Sequence, residues 1–448
     1  MQDKVSFKVI NKLALPSILA GIIEPVISIT DTAIIGHVPQ HATESLAAVG
    51  LVGSFMSALF WILAQTKNAI SSIVSQKLGA KKIDKIKSLI PQVLVMNITL
   101  GIVLVLITRF YAADIFRLYA AKNLVLDYSV TYYKIRVFGL VFTLVTFTLF
   151  GIFRGLQNTY WAMLISITGG LINIVLDYIL VYGISGYISP MYIQGAAWAS
   201  LTAQLVMMLL AIGVFMRKTP FDFKLSFSIH PEIKRFLSMT GNLIIRTIAL
   251  NVAIFLSNRQ ATSYGKNYIA VHVILTNIWL FTTFFLDGYA DAGNSLSGKL
   301  IGEKDFFHLR LLAKKLIKYS LWVALGLSLF FVVFYDKIGL IFTNEQAVLR
   351  IFHQVFWLVI LMQPIGAVAF IFDGIFKGLG WVKFLRNMQL IATFLVFVPL
   401  LYLLDYLGLK LYAVWAAFWF WMAFRAGSLW WQFNRIIKAK IHNSSVFS

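Results

Sequence analysis

The chain has 448 residues, of which 59% are hydrophobic and 13% are charged, and its formal net charge is +21. A water-soluble domain carries about a quarter charged residues, so water cannot be the main solvent of this chain. The composition therefore excludes a soluble globular protein and predicts an integral membrane protein. The absence of cysteine from the sequence excludes disulfides and thiol chemistry.

Twelve apolar stretches are each long enough to cross a bilayer as a helix, which takes about 20 residues. They lie near 13–37, 46–76, 88–112, 128–153, 159–183, 192–217, 233–260, 268–298, 310–335, 347–376, 384–404 and 409–433. The first stretch does not resemble a cleaved signal peptide, because it contains Glu24 and Asp31 and lacks a small-residue cleavage site. The fold class that follows is all-α, with twelve transmembrane helices.

The basic residues alternate between loops along the chain. Loops after every second span are rich in Lys and Arg, whereas 36–46 and 183–192 contain neither. This asymmetry is typical of the positive-inside rule and predicts cytoplasmic N- and C-termini in the cell inner (plasma) membrane. Because topology accounts for the net charge, we expect no nucleic acid as a partner. We also expect contact with membrane lipid, small-molecule substrates and a monomer.

A sequence repeat indicates that the chain is a duplication. Residues 151–156 read Gly-Ile-Phe-Arg-Gly-Leu and residues 374–379 read Gly-Ile-Phe-Lys-Gly-Leu, an offset of 223 that also relates Gly79 to Gly302. We predict two six-helix bundles, 1–222 (N-lobe) and 223–448 (C-lobe). Six crossings are an even number, so the bundles should be related by a pseudo-twofold along the membrane normal, with a central cleft.

Acidic residues inside the first bundle predict a cation site. A charge near the bilayer centre costs roughly 2.5–3.5 kcal/mol, so each one retained there needs a reason. Asp31 and Asp177 lie on helices that run the same way, at similar depth, and Asn173 precedes Asp177 by one helical turn. Bringing like charges together favours binding of a proton or cation. Glu24 shares the face of Asp31 approximately; the alternative is that these acids only pair with Lys67.

The second bundle lacks an equivalent of this acidic pair. The positions 223 residues beyond Asp31 and Asp177 hold Ile and Leu. Instead Arg246 lies in the seventh span, and Asp287 and Asp291 lie one turn apart in the eighth. These three residues are expected either to line the substrate cleft or to form a structural Arg–Asp cluster.

Two further features of the spans carry local predictions. Pro16 and Pro25 each remove a backbone hydrogen bond from the first helix, so we predict a hinge that protonation of a neighbouring acid could use. Asp373 precedes Lys377 by four residues near a predicted cytoplasmic end. That spacing predicts an ordinary ion pair on the surface of a helix.

Four local motifs resemble the multidrug and toxic compound extrusion (MATE) family, and within it the DinF-like branch. They are Pro16 followed by Asp31-Thr32, the run Ser-Gln-Lys-Leu-Gly-Ala at 75–80, Asn173 with Asp177, and Leu286-Asp287-Gly288. Helix number, repeat and length agree with the family over nearly the whole chain. Asn294 departs from the pattern, because many members of the branch have an acid there.

The resemblance implies a cation-coupled antiporter that exports bulky cationic or amphipathic drugs and dyes by alternating access. It implies that Asp31, Asn173 and Asp177 bind the coupling ion, H⁺ or Na⁺, and that a hydroxyl of Ser200 or Thr202 completes the site. No other cofactor is implied.

Two other functions stay open at this point. A flippase for lipid-linked oligosaccharides would need a basic central cavity, for which the candidate residues are Lys67, Arg246 and Arg425. A membrane enzyme would need a nucleophile–base pair or metal ligands at one interface, and the seven histidines are scattered along the chain. We therefore expect a transporter and not an enzyme.

Overall fold

The computed structural model describes residues 4–39, 41–226 and 228–445, without the side chains of Glu24, Ser28 and 442–445. In this part of the chain the regular structure is helical, apart from an isolated bridge between Ile184 and Ile188. The all-α prediction is confirmed.

Six helical segments precede the middle of the chain. They are α1 (Phe7–Ile35), α2 (Ala42–Gly79), α3 (Ile83–Phe110), α4 (Asn123–Arg136 and Gly139–Gly155), α5 (Tyr160–Tyr182) and α6 (Tyr192–Lys218). The two parts of α4 meet at an angle of 47°. α5 ends where Gly183 adopts a positive φ of 76°, a conformation that glycine tolerates best.

Six further segments follow. They are α7 (Glu232–Ser263), α8 (Lys266–Gly302), α9 (Phe306–Val333), α10 (Gln346–Leu379), α11 (Val382–Tyr406) and α12 (Leu411–Ser445). α11 contains a π-helical segment, Ala392–Phe397, which ends two residues before Pro399. A proline cannot donate the regular backbone bond, and a widened turn is one way to accommodate it.

Each of the twelve predicted spans coincides with a helix. By length and apolar composition, ten helices of the described chain can cross a membrane, and the bent α4 makes eleven. The twelfth, α12, is less apolar because it holds Arg425 and five tryptophans, residues that favour the interfaces or the protein interior over acyl chains.

The helices pack as two compact units. One consists of Met1–Ile18, Ser75–Lys81 and Ser238–Ser448, and the other consists of Leu19–Val74 and Lys82–Leu237. Aromatic rings fill both interiors: Trp415 and Trp421 are fully buried in the first, and Tyr132 and Tyr133 in the second. The bundle boundary at residues 222 and 223 stays a prediction from the repeat.

The sequence offset of 223 recurs in the helix contacts. Gly151 of α4 lies against the backbone of Lys67 in α2, and Gly374 of α10 lies against the backbone of Ala290 in α8. One turn further along, Gly155 lies against the backbone of Ser71, and Gly378 lies against the backbone of Asn294. Both partners of every contact shift by 223 residues, so the duplicated sequence builds the same glycine-mediated crossing twice.

The crossing of α8 and α10 can be tested with one methyl group. A Cβ at Gly374 would collide with the Ala290 backbone, whereas a Cβ at Gly366 of the same helix would meet nothing within 4 Å. We predict that Gly374→Ala lowers the free energy of unfolding by about 1–3 kcal/mol, the usual cost of overpacking. Gly366→Ala should be neutral or slightly stabilising. Thermal unfolding of both variants in detergent measures the difference, and equal unfolding temperatures would contradict the proposed crossing.

Candidate functional site

The packing of α1 on α5 brings two acidic positions together. Gly170 of α5 leaves room for the side chain of Ile23 in α1, since a Cβ at Gly170 would collide with it. Near the other end of this contact the Tyr182 hydroxyl donates to the Ile34 carbonyl over 2.8 Å. Two turns of helix beyond the Gly170–Ile23 contact, each helix presents an aspartate, Asp31 or Asp177.

The polar side chains between these helices form one buried cluster. Asp31, Asn173 and Asp177 are 3%, 2% and 0% exposed. The Asp177 carboxyl lies beside the carboxyl of Asp31 and the amide of Asn173. Asn173 Nδ2 donates to Ser200 Oγ of α6 over 3.4 Å. Of the two predicted hydroxyls, Ser200 is therefore the one in this contact, and Thr202 is half-buried on the same helix.

The oxygens of this cluster outnumber their donors. Asp31 Oδ1, Asn173 Oδ1 and both carboxylate oxygens of Asp177 are buried without a hydrogen-bond partner. Two neighbouring carboxyl groups repel each other when both are charged, and they can link directly only by sharing a proton. A set of unpaired oxygens suits a proton or a hard cation such as Na⁺.

Sequence reasoning missed the basic residue next to this cluster. Arg136 of α4 interacts electrostatically with both Asp31 and Asp177, and its Nη1 donates to the Tyr132 hydroxyl over 2.6 Å. Lys67, the basic partner considered from the sequence, lies over the ring of Phe147 at 5.7 Å. Arg136 falls within the predicted span 128–153, so its unusual position in an apolar segment was the signal that could have identified it.

Other predicted residues of α1 stay less defined. The side chain of Glu24 lies outside the described residues. Pro16 and Pro25 fall within the continuous helix Phe7–Ile35, and their role as a hinge stays a prediction.

The unit that contains Ser238–Ser448 holds a second charged cluster. Asp373 of α10 forms ion pairs with Arg246, with Lys377 over 2.5 Å and with Arg425 over 3.6 Å. Arg425 also lies over the ring of Trp421 at 4.7 Å. One carboxylate therefore binds cations from three positions on three helices.

This cluster changes two expectations from the sequence. The predicted pair of Asp373 and Lys377 forms, but the side chains are only 4% and 14% exposed, so a helix-surface setting was wrong. The partner of Arg246 in direct contact is Asp373. Asp287 is exposed, and it interacts electrostatically with Lys377, Arg246 and the neighbouring Asp291. Spacing alone did not reveal that α10 supplies the central acid.

A buried acidic pair within a bundle of twelve apolar helices defines a multi-pass membrane transport protein, and comparison with known sequences gives the family. The sequence model of the MatE family matches residues 16–179 and 243–403, well over half of the chain. The chain belongs to this family.

Relatives from bacteria and plants match along most of their length. DNA damage-inducible protein F of Escherichia coli is 25% identical over 430 residues, covering 95% of this chain and 91% of that protein. The probable multidrug resistance protein YoeA of Bacillus subtilis is 24% identical over 391 residues, covering 83% and 82%. Protein DETOXIFICATION 44 of Arabidopsis thaliana is 26% identical over 442 residues, covering 93% and 80%.

Solved structures share the fold. A crystal structure of MATE in the bent conformation has a TM-score of 0.90 and 22% identity, and the match covers 98% of this chain and 97% of that one. An outward-facing structure of a multidrug resistance MATE family transporter has a TM-score of 0.88 and 22% identity, covering 97% and 96%. The predicted fold of twelve helices in two bundles is confirmed.

The ion cluster around Asp373 predicts a large loss of stability when that acid is removed. Asp373→Asn would leave Arg246, Lys377 and Arg425 without their shared counter-charge, and breaking a buried ion pair from one side costs about 3–5 kcal/mol. We expect a clear fall in the thermal unfolding temperature in detergent. Asp84→Asn, which breaks an exposed pair with Lys87 at 2.7 Å, is the matched control and should change little. Similar unfolding temperatures for the two variants would contradict a stabilising role of Asp373.

Proposed function

We propose that this protein is a cation-coupled efflux antiporter that exports bulky cationic or amphipathic compounds by alternating access. H⁺ or Na⁺ enters while the substrate leaves. Asp31 and Asp177 bind the coupling ion, with the oxygens of Asn173 and Ser200 as further ligands. The observation that carries this proposal is the buried set of acidic oxygens without hydrogen-bond donors.

The names of two relatives support the substrate class. YoeA of Bacillus subtilis and NorM of Bacillus anthracis are both described as probable multidrug resistance proteins. The alternation of basic loops supports a position in the cell inner membrane with both termini in the cytoplasm. Export then runs outward from the side on which the basic loops lie.

A buried acidic pair suits energy coupling because its two states differ strongly in charge. With the ion bound, the repulsion between the carboxylates is relieved; without it, the helices that carry them are driven apart or must be hydrated. One monovalent cation that moves inward through 100 mV releases about 2.3 kcal/mol. This free energy supports roughly a fiftyfold gradient of a neutral substrate.

Efflux from reconstituted vesicles tests the assignment, with the H⁺ and Na⁺ gradients imposed separately on a fluorescent cationic dye. In the wild type, one of the two gradients should drive dye transport against its concentration gradient. In Asp31→Asn and Asp177→Asn, the steady-state dye ratio should fall to about one from the ratio that the imposed cation gradient sustains in the wild type, because the driving ion no longer binds.

Asp114→Asn is the matched control, since Asp114 is exposed and pairs with Arg117 at the surface over 3.1 Å. It should transport dye as the wild type does. An Asp31→Asn or Asp177→Asn protein that still builds a dye gradient from the ion gradient would refute the coupling role of the pair.

A further inference from the structure

Arg136 is placed unusually for a basic residue in a membrane-spanning helix. It lies at the end of the first part of α4, immediately before the 47° bend. Its Nη1 donates to Tyr132, its guanidinium lies 5.6 Å from the centre of that ring, and its Nε is buried without a hydrogen-bond partner. The ion pairs within the described chain do not include Arg136, although it interacts electrostatically with Asp31 and Asp177.

Arg154, the other arginine compared on α4, has a different set of contacts from Arg136. Arg154 is buried and donates to the Asn68 side chain over 3.0 Å, and Asn68 in turn donates to Gln65 over 3.1 Å. Arg154 is thus held within a polar network of its own. Arg136 instead has a tyrosine hydroxyl as its anchor and two carboxylates as its electrostatic partners.

The charges around the acidic pair determine how much positive charge is needed to neutralise it. Two ionised aspartates contribute −2 and Arg136 contributes +1. The other titratable group of α4 that acts on the pair is the neutral Tyr132, and α5 and α6 contribute the uncharged Asn173 and Ser200. Among the side chains that the structure describes around the pair, the net charge is −1, so one monovalent cation neutralises these groups. A low-dielectric interior penalises any net charge, and neutrality is therefore the most stable state.

We propose that Arg136 is a resident counter-charge that limits the acidic pair to one monovalent cation and keeps its affinity for that cation low enough for release. Tyr132 holds the guanidinium at a distance from the pair, so the charge acts without occupying the ligand oxygens. Arg136 is a positioning and specificity-determining residue and does not itself bind the transported ion. This inference rests on the proposed coupling role of Asp31 and Asp177.

The test measures cation affinity and maximal rate separately in the reconstituted full-length protein, with Na⁺ alone and then protons alone as the driving ion. Arg136→Gln should lower the cation concentration at half-maximal efflux by about tenfold, the order of effect that a nearby unit charge has at an effective dielectric constant of about 20. The maximal rate should fall as well, because the more tightly bound ion is released more slowly. A variant that is merely less well folded would lose rate without gaining affinity.

Three comparison variants complete the test. Arg136→Lys keeps the charge and should retain the wild-type cation affinity. Tyr132→Phe frees the guanidinium to reach the ligand oxygens and should weaken the cation affinity. Arg154→Gln removes a buried arginine from the same helix and should leave cation affinity unchanged. Unchanged or weaker cation affinity in Arg136→Gln, while Asp31→Asn abolishes coupling, would overturn this inference and leave the proposed function standing. Coupling that survives in Asp31→Asn would overturn the proposed function itself.

Discussion

The central constraint in this molecule is the approach of two carboxyl groups, Asp31 and Asp177, in an interior where Asp31 Oδ1 and both carboxyl oxygens of Asp177 have no hydrogen-bond partner. Such an arrangement is costly unless a cation or a shared proton occupies it. The surrounding packing enforces it nonetheless: Gly170 lets α1 approach α5, and the Tyr182–Ile34 hydrogen bond fixes the ends of both helices. In the proposed function, this unmet demand for a small cation is what couples the protein to an ion gradient.

The two halves of the sequence use the same scaffold for different chemistry. The glycine crossings at Gly151 and Gly374 are built alike, yet the positions equivalent to Asp31 and Asp177 are apolar in the second half. There, Asp373 is saturated by Arg246, Lys377 and Arg425. An acid held by three fixed cations is a poor site for a mobile one. The repeated halves therefore share an architecture, and only the first half has the acidic pair of the proposed ion site.

Much of this fold could be predicted from the sequence because lipid imposes simple requirements. Apolar length gave the twelve helices, and the repeat at 151–156 and 374–379 predicted contacts that recur at the same offset. Asp31, Asn173 and Asp177 were predictable because polar residues in apolar spans are expensive. Arg136 and the burial of Asp373 were not predicted, since both depend on which helices become neighbours. The i, i+4 spacing of Asp373 and Lys377 is the same on an exposed and on a buried helix face.

Infrared difference spectroscopy of the purified protein tests the central claim most directly, because it detects the carbonyl stretch of a protonated buried carboxyl group. We predict one such band in the wild type at low Na⁺ concentration that disappears as Na⁺ binds or the pH is raised, and that is altered in Asp177→Asn. A spectrum without a protonated carboxyl group, or a band that Asp31→Asn and Asp177→Asn leave unchanged, would contradict the account.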